Sequence, residues 1–165
     1  MNPITIAHVV AAILLIGPVT VATSMFPRLA VAARDGEAGT VGAARTMHAV
    51  SRTYGMISLL VPLLGVGVAF TNAAYFFRSG VVHASIAGSI IAWAILFFAI
   101  IPRQRVMLAG LGVAPDGEEA DDPDLAKLRA KAAELDWAKA KSKLAMFSGI
   151  FAALWVIMAV AMFFI

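Results

Sequence analysis

Four long windows of the chain are apolar without interruption. They contain no Lys, Arg, Asp or Glu, and they cover residues 4–26, 53–77, 81–101 and 144–165. Each window has about the 20 residues that a helix needs to cross a hydrocarbon core of ~30 Å. Short alternating segments, which are typical of barrel strands, do not occur. The pattern therefore predicts an all-α fold: a four-transmembrane-helix bundle that forms one domain over residues 1–165.

Composition supports a membrane protein. The chain has 61% hydrophobic and 14% charged residues, whereas a soluble domain has about 25% charged residues. No basic residue precedes the first window, which is also longer than the apolar core of a signal peptide, so we expect a retained helix. The sequence contains no cysteine, which excludes disulfides, thiolate metal sites and a thiol nucleophile.

The basic residues are confined to two of the three links between windows. All of them except Arg78 lie between windows one and two or between windows three and four. The positive-inside rule predicts that these two links are cytoplasmic and that both termini lie outside a plasma membrane. The net charge is only +3 and no basic face with interleaved aromatics is present, so nucleic-acid binding is not expected.

Prolines and small residues mark positions inside the windows. Pro62 removes a backbone donor from the second window and predicts a kink near its middle. Small residues recur every four positions in windows three and four, at Ala84, Gly88 and Ala92 and at Ala145, Gly149 and Ala153. This spacing lets helices approach closely in lipid. We expect it to serve packing within the chain in preference to dimerisation.

Windows one and three share a pattern. His8 lies nineteen residues before Pro27-Arg28, and His83 lies nineteen residues before Pro102-Arg103. The pattern predicts two helical hairpins arranged as a parallel repeat, with His8 and His83 at equal depth. His48 falls on the cytoplasmic side and is not expected to join them.

The link over residues 103–143 predicts a cytoplasmic helical extension before helix four. Asp122-Pro123-Asp124 has an N-cap residue, a proline at the first helical position and an acid in the first turn. No helix breaker follows, so we expect one unbroken helix from Asp122 to the C-terminus. Three roles are open for this helix: a solvated extension, a surface that binds a partner, or a surface that docks onto residues 28–52. Its apolar stripe would form the contact in the second and third roles. The candidate partner-binding residues are Leu125, Leu128, Leu135 and Trp137.

Sequence signatures of catalysis are missing. The chain has no phosphate-binding loop, nucleophile elbow or zinc-protease pattern. The apolar windows contain no carboxylate that could relay protons. We therefore expect no enzyme activity, no catalytic residue and no metal site of a known type.

Three segments carry a resemblance: residues 6–20, Met25-Phe-Pro-Arg28 and Ser51-Arg-Thr-Tyr-Gly55. Together they resemble actinobacterial four-helix integral membrane proteins catalogued as a domain of unknown function, which implies four spans and no assigned activity. More distantly, helix one with its early histidine looks like the four-helix copper-resistance and b-type cytochrome membrane domains. That likeness implies histidine ligands for metal or haem. Here the second-helix histidine, His48, lies outside the predicted span.

These features predict a non-catalytic integral membrane protein. We expect an accessory or assembly subunit of a larger membrane complex or a homo-oligomer, with the lipid bilayer and other membrane subunits or a second copy as partners. In this interpretation the protein needs no cofactor. The alternative is a haem- or metal-binding membrane protein that uses His8 and His83, with haem b as cofactor. A third hypothesis, a small channel or carrier, is based on the intramembrane polar residues Thr20, Thr23, Ser24 and Asn72.

Overall fold

The fold is all-α, as predicted. A computed structural model describes residues 2–119 and 121–164, and these residues form helices without a β-strand. The helices are α1 (Pro3–Arg34), α2 (Thr40–Ile57), α3 (Leu60–Thr71), α4 (Ala73–Phe76), α5 (Gly80–Ala94), α6 (Ile101–Gly110), α7 (Pro123–Ala133) and α8 (Trp137–Ala161). A π-helical segment, Ile95–Ile100, joins α5 to α6, and a 3-10 turn, Met162–Phe164, follows α8.

In the described part of the chain, four helical stretches are long and apolar enough to cross a membrane. They are Pro3–Arg34, Thr40–Thr71, Gly80–Gly110 and Trp137–Phe164, referred to below as spans one to four. The predicted windows lie within or overlap these spans, but the helices continue past the apolar stretch on one side of the bundle. Span two, for example, begins at Thr40 and not at Thr53. The residues before Thr53 are not uniformly apolar, but they form a helix that buries one row of side chains against the bundle.

Span two is interrupted where Pro62 predicts a kink. Pro62 has no N–H, so it cannot donate to the carbonyl of Ser58 four residues earlier. The helix breaks at Ser58-Leu59, and Val61 N–H donates to Ser58 O at 2.9 Å instead. The Ser58 hydroxyl donates to Gly55 O at 2.7 Å and accepts a hydrogen bond from Trp93 Nε1 at 3.2 Å. The kink is thereby tied to span three.

Span three contains a π-helical segment just before Pro102. The missing N–H of Pro102 leaves the carbonyl of Phe98 without its usual donor, and π-helical hydrogen bonds insert extra residues per turn. One buried row at four-residue spacing runs along this stretch through Ala92, Leu96, Ile100, Gln104 and Leu108, and other buried residues lie beside it. Because a π-helical turn contains more residues than an α-helical turn, successive side chains rotate less about the helix axis, and Gln104 stays on the buried face of the helix.

The four spans pack as a ring in chain order. Span one contacts spans two and four, and spans two and four both contact span three. The core is apolar around Phe26, Leu96 and Phe151, each at most 1% exposed. Ser148 Oγ donates to Thr23 O at 2.8 Å and links span four to span one. The outward faces of the spans are apolar and exposed, as expected of helices in contact with lipid.

The helical extension is present, but the prediction of one unbroken helix is wrong. Asp122 accepts a hydrogen bond from Asp124 N at 2.7 Å and begins α7 at Pro123, as predicted. The chain then leaves the helix after Ala133. Asp136 begins a separate helix by accepting from Lys139 N at 3.0 Å. Asp136 is therefore a second N-cap residue within the region predicted to be one helix, and it starts a new helix three residues after α7 has ended.

Helix α7 packs against α6 and does not continue span four. A Cβ atom on Gly110 would lie 3.2 Å from Ala132 Cβ and 3.0 Å from Trp137 Cζ2, so glycine permits this close approach. Leu125 is buried at 1% exposure. Leu135 and Trp137 are half-buried against the core.

The close packing of span two on span three can be tested at Gly55. A Cβ there would lie 2.8 Å from Leu96 Cδ2, whereas Gly42 in the same helix has open space. We expect Gly55→Leu to lower the free energy of unfolding by about 2 kcal/mol through overpacking. Gly42→Leu is the matched control and should leave stability unchanged or raise it. Equal stability of the two variants in detergent unfolding titrations would contradict this packing.

Candidate functional site at the basic end of the bundle

The polar residues of the bundle concentrate at one end. Spans one and three end there and spans two and four begin there, and the loop residues 35–39 and 111–119 lie at the same end. We call it the basic end, since every Lys and Arg except Arg78 belongs to it. Its central residue is His48 on α2, which is 0% exposed.

His48 has a partner at each ring nitrogen. Its Nδ1 lies 3.0 Å from Gln104 Oε1, and its Nε2 lies 3.2 Å from Asp116 Oδ1. Gln104 on α6 is also 0% exposed. A buried imidazole without partners would cost free energy, and here both nitrogens are satisfied.

A chain of hydrogen bonds orients His48. The Ser51 hydroxyl donates to Met47 O at 2.9 Å, so it accepts from Gln104 Nε2 at 3.3 Å. This orientation of the amide turns Gln104 Oε1 toward His48 Nδ1. Gln104 and Asp116 therefore hold the imidazole from its two ring nitrogens and fix its position.

Asp116 also contacts two arginines. Arg52 Nη1 lies 3.1 Å from Asp116 Oδ1, and Arg105 Nε lies 2.8 Å from Asp116 Oδ2. The Arg105 Nε–H is not aligned with the oxygen, so this contact is an ion pair without a hydrogen bond. The Asp116 side chain is 16% exposed, and Arg52 is 56% exposed. One carboxylate from the loop thus neutralises charges on α2 and α6.

Glu118 fixes the same loop from the other side. Arg105 Nη2 donates to Glu118 Oε1 at 2.7 Å, and the backbone N–H of Asp116 donates to Glu118 Oε2 at 2.8 Å. Burial alone would raise the pKa of Glu118. The hydrogen bonds from Arg105 and the Asp116 backbone outweigh burial, so the pKa lies below its ordinary value.

Two glycines shape the loop that carries these acids. Gly112 has a φ of +78° just after α6, where Val113 N–H donates back to Leu108 O at 3.1 Å. Gly117 has a φ of +83° and reverses the chain between Asp116 and Glu118. Left-handed backbone of this kind favours glycine. It lets both acids face Arg105.

We call the side chains of His48, Ser51, Arg52, Gln104, Arg105, Asp116 and Glu118 the basic-end network. Hydrogen bonds and ion pairs connect its members to one another, and His48 and Gln104 have no solvent-accessible surface. An imidazole engaged at both nitrogens is not available as a general base. The arrangement joins α2, α6 and the loop 111–119, and so closes the basic end of the bundle.

The structure places the two predicted ligand histidines in different surroundings. His8 is half-buried and donates from Nδ1 to Val61 O in span two at 2.9 Å, beside Gly65. His83 is exposed and donates from Nδ1 to Ser79 O of its own helix at 2.9 Å. Within residues 2–119 and 121–164, no group of three or more potential metal ligands occurs.

The other predicted residues are held within the chain. Leu125 is buried, and Leu128 is half-buried. The guanidinium of Arg34 lies 5.4 Å from the centre of the Trp137 ring. The hydroxyls of Thr20 and Thr23 donate to carbonyls of their own helix. Much of the predicted partner stripe therefore packs against this chain.

Sequence reasoning missed the basic-end network. It placed His48 outside the membrane-spanning helix and gave no role to Gln104, the sole glutamine of the chain. A signal was present, because the buried stripe of α2 repeats at helical spacing through Thr40, Ala44, His48, Ser51 and Gly55. The partner loop carried no such periodic signal.

Comparison with known proteins adds no relative. No family model, curated protein or solved structure matches this chain.

Removing the central carboxylate should weaken the network. Asp116→Asn removes the carboxylate partner of His48 Nε2 and one of the two carboxylates that contact Arg105, and we expect a loss of about 2 kcal/mol in the free energy of unfolding. Asp121→Asn, an exposed acid of the same loop, is the control. Unfolding titrations in mixed micelles would measure both. If the two variants had equal stability, Asp116 would not hold the bundle.

The Glu118 contact predicts a loss of stability in acid. Because its folded-state pKa lies below the ordinary 4.5, the contribution is fully present above that value and is lost as the pH falls through the lowered pKa. Wild type should exceed Glu118→Gln in thermal midpoint at about pH 6, and this advantage should shrink as the pH falls below 4.5 and through the lowered pKa. Glu119→Gln, an exposed neighbour, should match wild type over the same pH range. An advantage of wild type that stayed undiminished throughout acid unfolding would contradict this assignment.

Proposed function

We propose that this multi-pass membrane protein is non-catalytic and serves as an accessory or assembly subunit of a larger membrane complex or as a homo-oligomer. The proposal is based mainly on the outward face of span four. Ala145, Gly149 and Ala153 are all exposed there, at four-residue spacing.

The small residues of span three have the same spacing, but their surroundings differ from those of span four. A Cβ on Gly88 would lie 2.7 Å from Met158 Sδ, so Gly88 is used for packing against span four, as predicted. A Cβ on Gly149 would meet nothing within 4 Å. The prediction of intramolecular packing is therefore wrong for span four.

The outward face has the shape that a second helix requires. Large apolar side chains lie beside the small residues and form apolar ridges. They are Met146, Ile150 and Val156, which are 42–62% exposed. Without a hydrophobic force in lipid, close backbone approach along such a groove is the main source of helix association. The partner is a transmembrane helix of another subunit or of a second copy.

The basic-end network supports the non-catalytic part of the proposal. Its charged groups neutralise one another, and its histidine is engaged at both nitrogens. Such a cluster stabilises one arrangement of the helices and gives a subunit a rigid shape to present to a partner. The proposal includes insertion in the plasma membrane with both termini outside, on the strength of the positive-inside distribution.

Substitution of Gly149 tests the association. We expect Gly149→Leu to weaken association in liposomes about tenfold, equivalent to ~1.4 kcal/mol, by holding the partner helix away. Gly17→Leu is the matched control, because Gly17 is also exposed on a span with open space around it. Fluorescence energy transfer between labelled copies measures self-association, and co-purification from native membranes measures other subunits. Equal behaviour of the two variants in both measurements would contradict the proposal.

The orientation has its own test. The chain has no native cysteine, so single cysteines can be introduced at Ala38 in the basic-end loop and at Ser79 in the opposite turn. Because the basic links are expected inside, an impermeant thiol reagent added to intact cells should label Ser79→Cys and not Ala38→Cys. Permeabilised cells provide the control for reactivity. The reverse pattern of labelling would contradict the orientation.

A specific observation favours the haem- or metal-binding alternative. His8 and His83 each donate from Nδ1 to a backbone carbonyl, and metal-bound histidines commonly make such a hydrogen bond from the ring nitrogen that does not bind the metal. Purified wild type would then carry haem or metal that His8→Ala and His83→Ala both lose. Wild type prepared under the same conditions without either would exclude this alternative.

A further inference from the structure

A groove of roughly 430 Å³ lies at the basic end between span one and the start of span four. Its apolar wall includes Met25 and Leu29 of α1. Four charged residues surround the same space: Arg28, Asp35, Glu37 and Lys141. The groove is separate from the basic-end network and from the outward face of span four.

The four charged side chains of the groove are not paired with one another. Among the residues that the structure describes, no ion pair involves Arg28, Asp35, Glu37 or Lys141. Nearby Arg34, in contrast, covers the Trp137 ring. Two cations and two anions therefore face one space without neutralising one another, and a ligand carrying both charges would complement them.

The order of these residues along α1 follows the layers of a membrane. Met25, 48% exposed, belongs to the apolar window. Arg28 follows it by three residues, or ~4.5 Å at 1.5 Å per residue, and Asp35 lies ~10 Å beyond Arg28. Passing outward from the hydrocarbon, the groove presents apolar, then basic, then acidic side chains. A phospholipid with an amine has the same order of acyl chain, phosphate and ammonium.

The end of α1 adds to this complementarity. Asp35 is the C-cap residue, so the negative end of the α1 dipole lies beside it. The partial negative charge of a helix C-terminus favours a cation there. A primary ammonium can donate three hydrogen bonds, and Asp35 and Glu37 supply carboxylate acceptors for them.

We propose that the groove binds the headgroup of a zwitterionic aminophospholipid. Arg28 and Lys141 hold the phosphate, Asp35 and Glu37 hold the ammonium, and an acyl chain lies against Met25 and Leu29. An anionic phosphatidylglycerol lacks the ammonium and brings a phosphate near two acids. A phosphatidylcholine has a quaternary ammonium without N–H donors.

Native mass spectrometry of the full chain can measure this selectivity. The detergent-purified protein is titrated with dioleoyl phosphatidylethanolamine, phosphatidylglycerol or phosphatidylcholine. We expect phosphatidylethanolamine to bind roughly tenfold more tightly than the other two, as one charge-assisted contact would give. Equal binding of all three lipids would overturn the proposal.

Paired variants separate the two halves of the groove. Asp35→Asn with Glu37→Gln should abolish the preference for phosphatidylethanolamine over phosphatidylglycerol. Arg28→Gln with Lys141→Gln should weaken binding of all three lipids. Glu119→Gln and Arg45→Gln alter exposed charges outside the groove and serve as controls. The proposal fails if the groove variants bind lipid as the controls do.

The acyl chain needs a separate measurement. O-Phosphoethanolamine carries the same two charges and no chain, and it should not displace phosphatidylethanolamine at equal concentration, since it lacks the contacts with Met25 and Leu29. Displacement at equal concentration would identify a soluble zwitterion as the ligand and overturn the assignment to a lipid. Thermal unfolding of each variant, which should match wild type at these exposed sites, confirms that a loss of binding is not a loss of folding.

Discussion

The carboxylate of Asp116 is the interaction on which the basic end of the bundle depends. It contacts a fully buried histidine on α2 and two arginines, of which Arg105 lies on α6. A buried polar group that loses its hydrogen-bond partner costs about 1–3 kcal/mol, so the loop that carries Asp116 stabilises the packing of span two on span three. The loop therefore acts as a structural element of the bundle. Its two left-handed glycines permit the turn that brings Asp116 and Glu118 to the same arginine.

Two helix irregularities next to prolines position the residues of the basic end. Pro62 breaks span two at Ser58-Leu59, where the Ser58 carbonyl accepts a hydrogen bond from Val61 N–H and the Ser58 hydroxyl accepts one from Trp93 of span three. The π-helical segment before Pro102 slows the rotation of span three and keeps Gln104 facing His48. Both irregularities lie where lipid offers no hydrogen bonds, so the freed backbone groups must be satisfied from within the protein. The kinks and the buried polar contacts consequently form one connected arrangement.

The sequence was sufficient to predict the parts of the fold that depend on local composition. The four spans, the kink at Pro62 and the start of α7 at Asp122 all follow from apolar length, a missing donor and an N-cap. The basic-end network could not be predicted in this way, because Asp116 meets His48 only through a loop whose path is set by tertiary contacts. The restart of the helix at Asp136 was missed because a lysine-rich run without glycine or proline looked continuous. The outward direction of Gly149 likewise depends on which face of span four packs inward, and a small-residue spacing does not specify that face.

Hydrogen exchange of the loop amides tests the central claim most directly. If the basic-end network fixes the loop, the N–H groups of Val113 and Asp116, which donate to Leu108 O and to Glu118, should exchange about a hundredfold more slowly in lipid nanodiscs than an unstructured peptide. The protection should be lost when Asp116 is replaced by asparagine. Exchange of the wild-type loop at the rate of a free peptide would show that the carboxylate does not hold it, and would contradict the account.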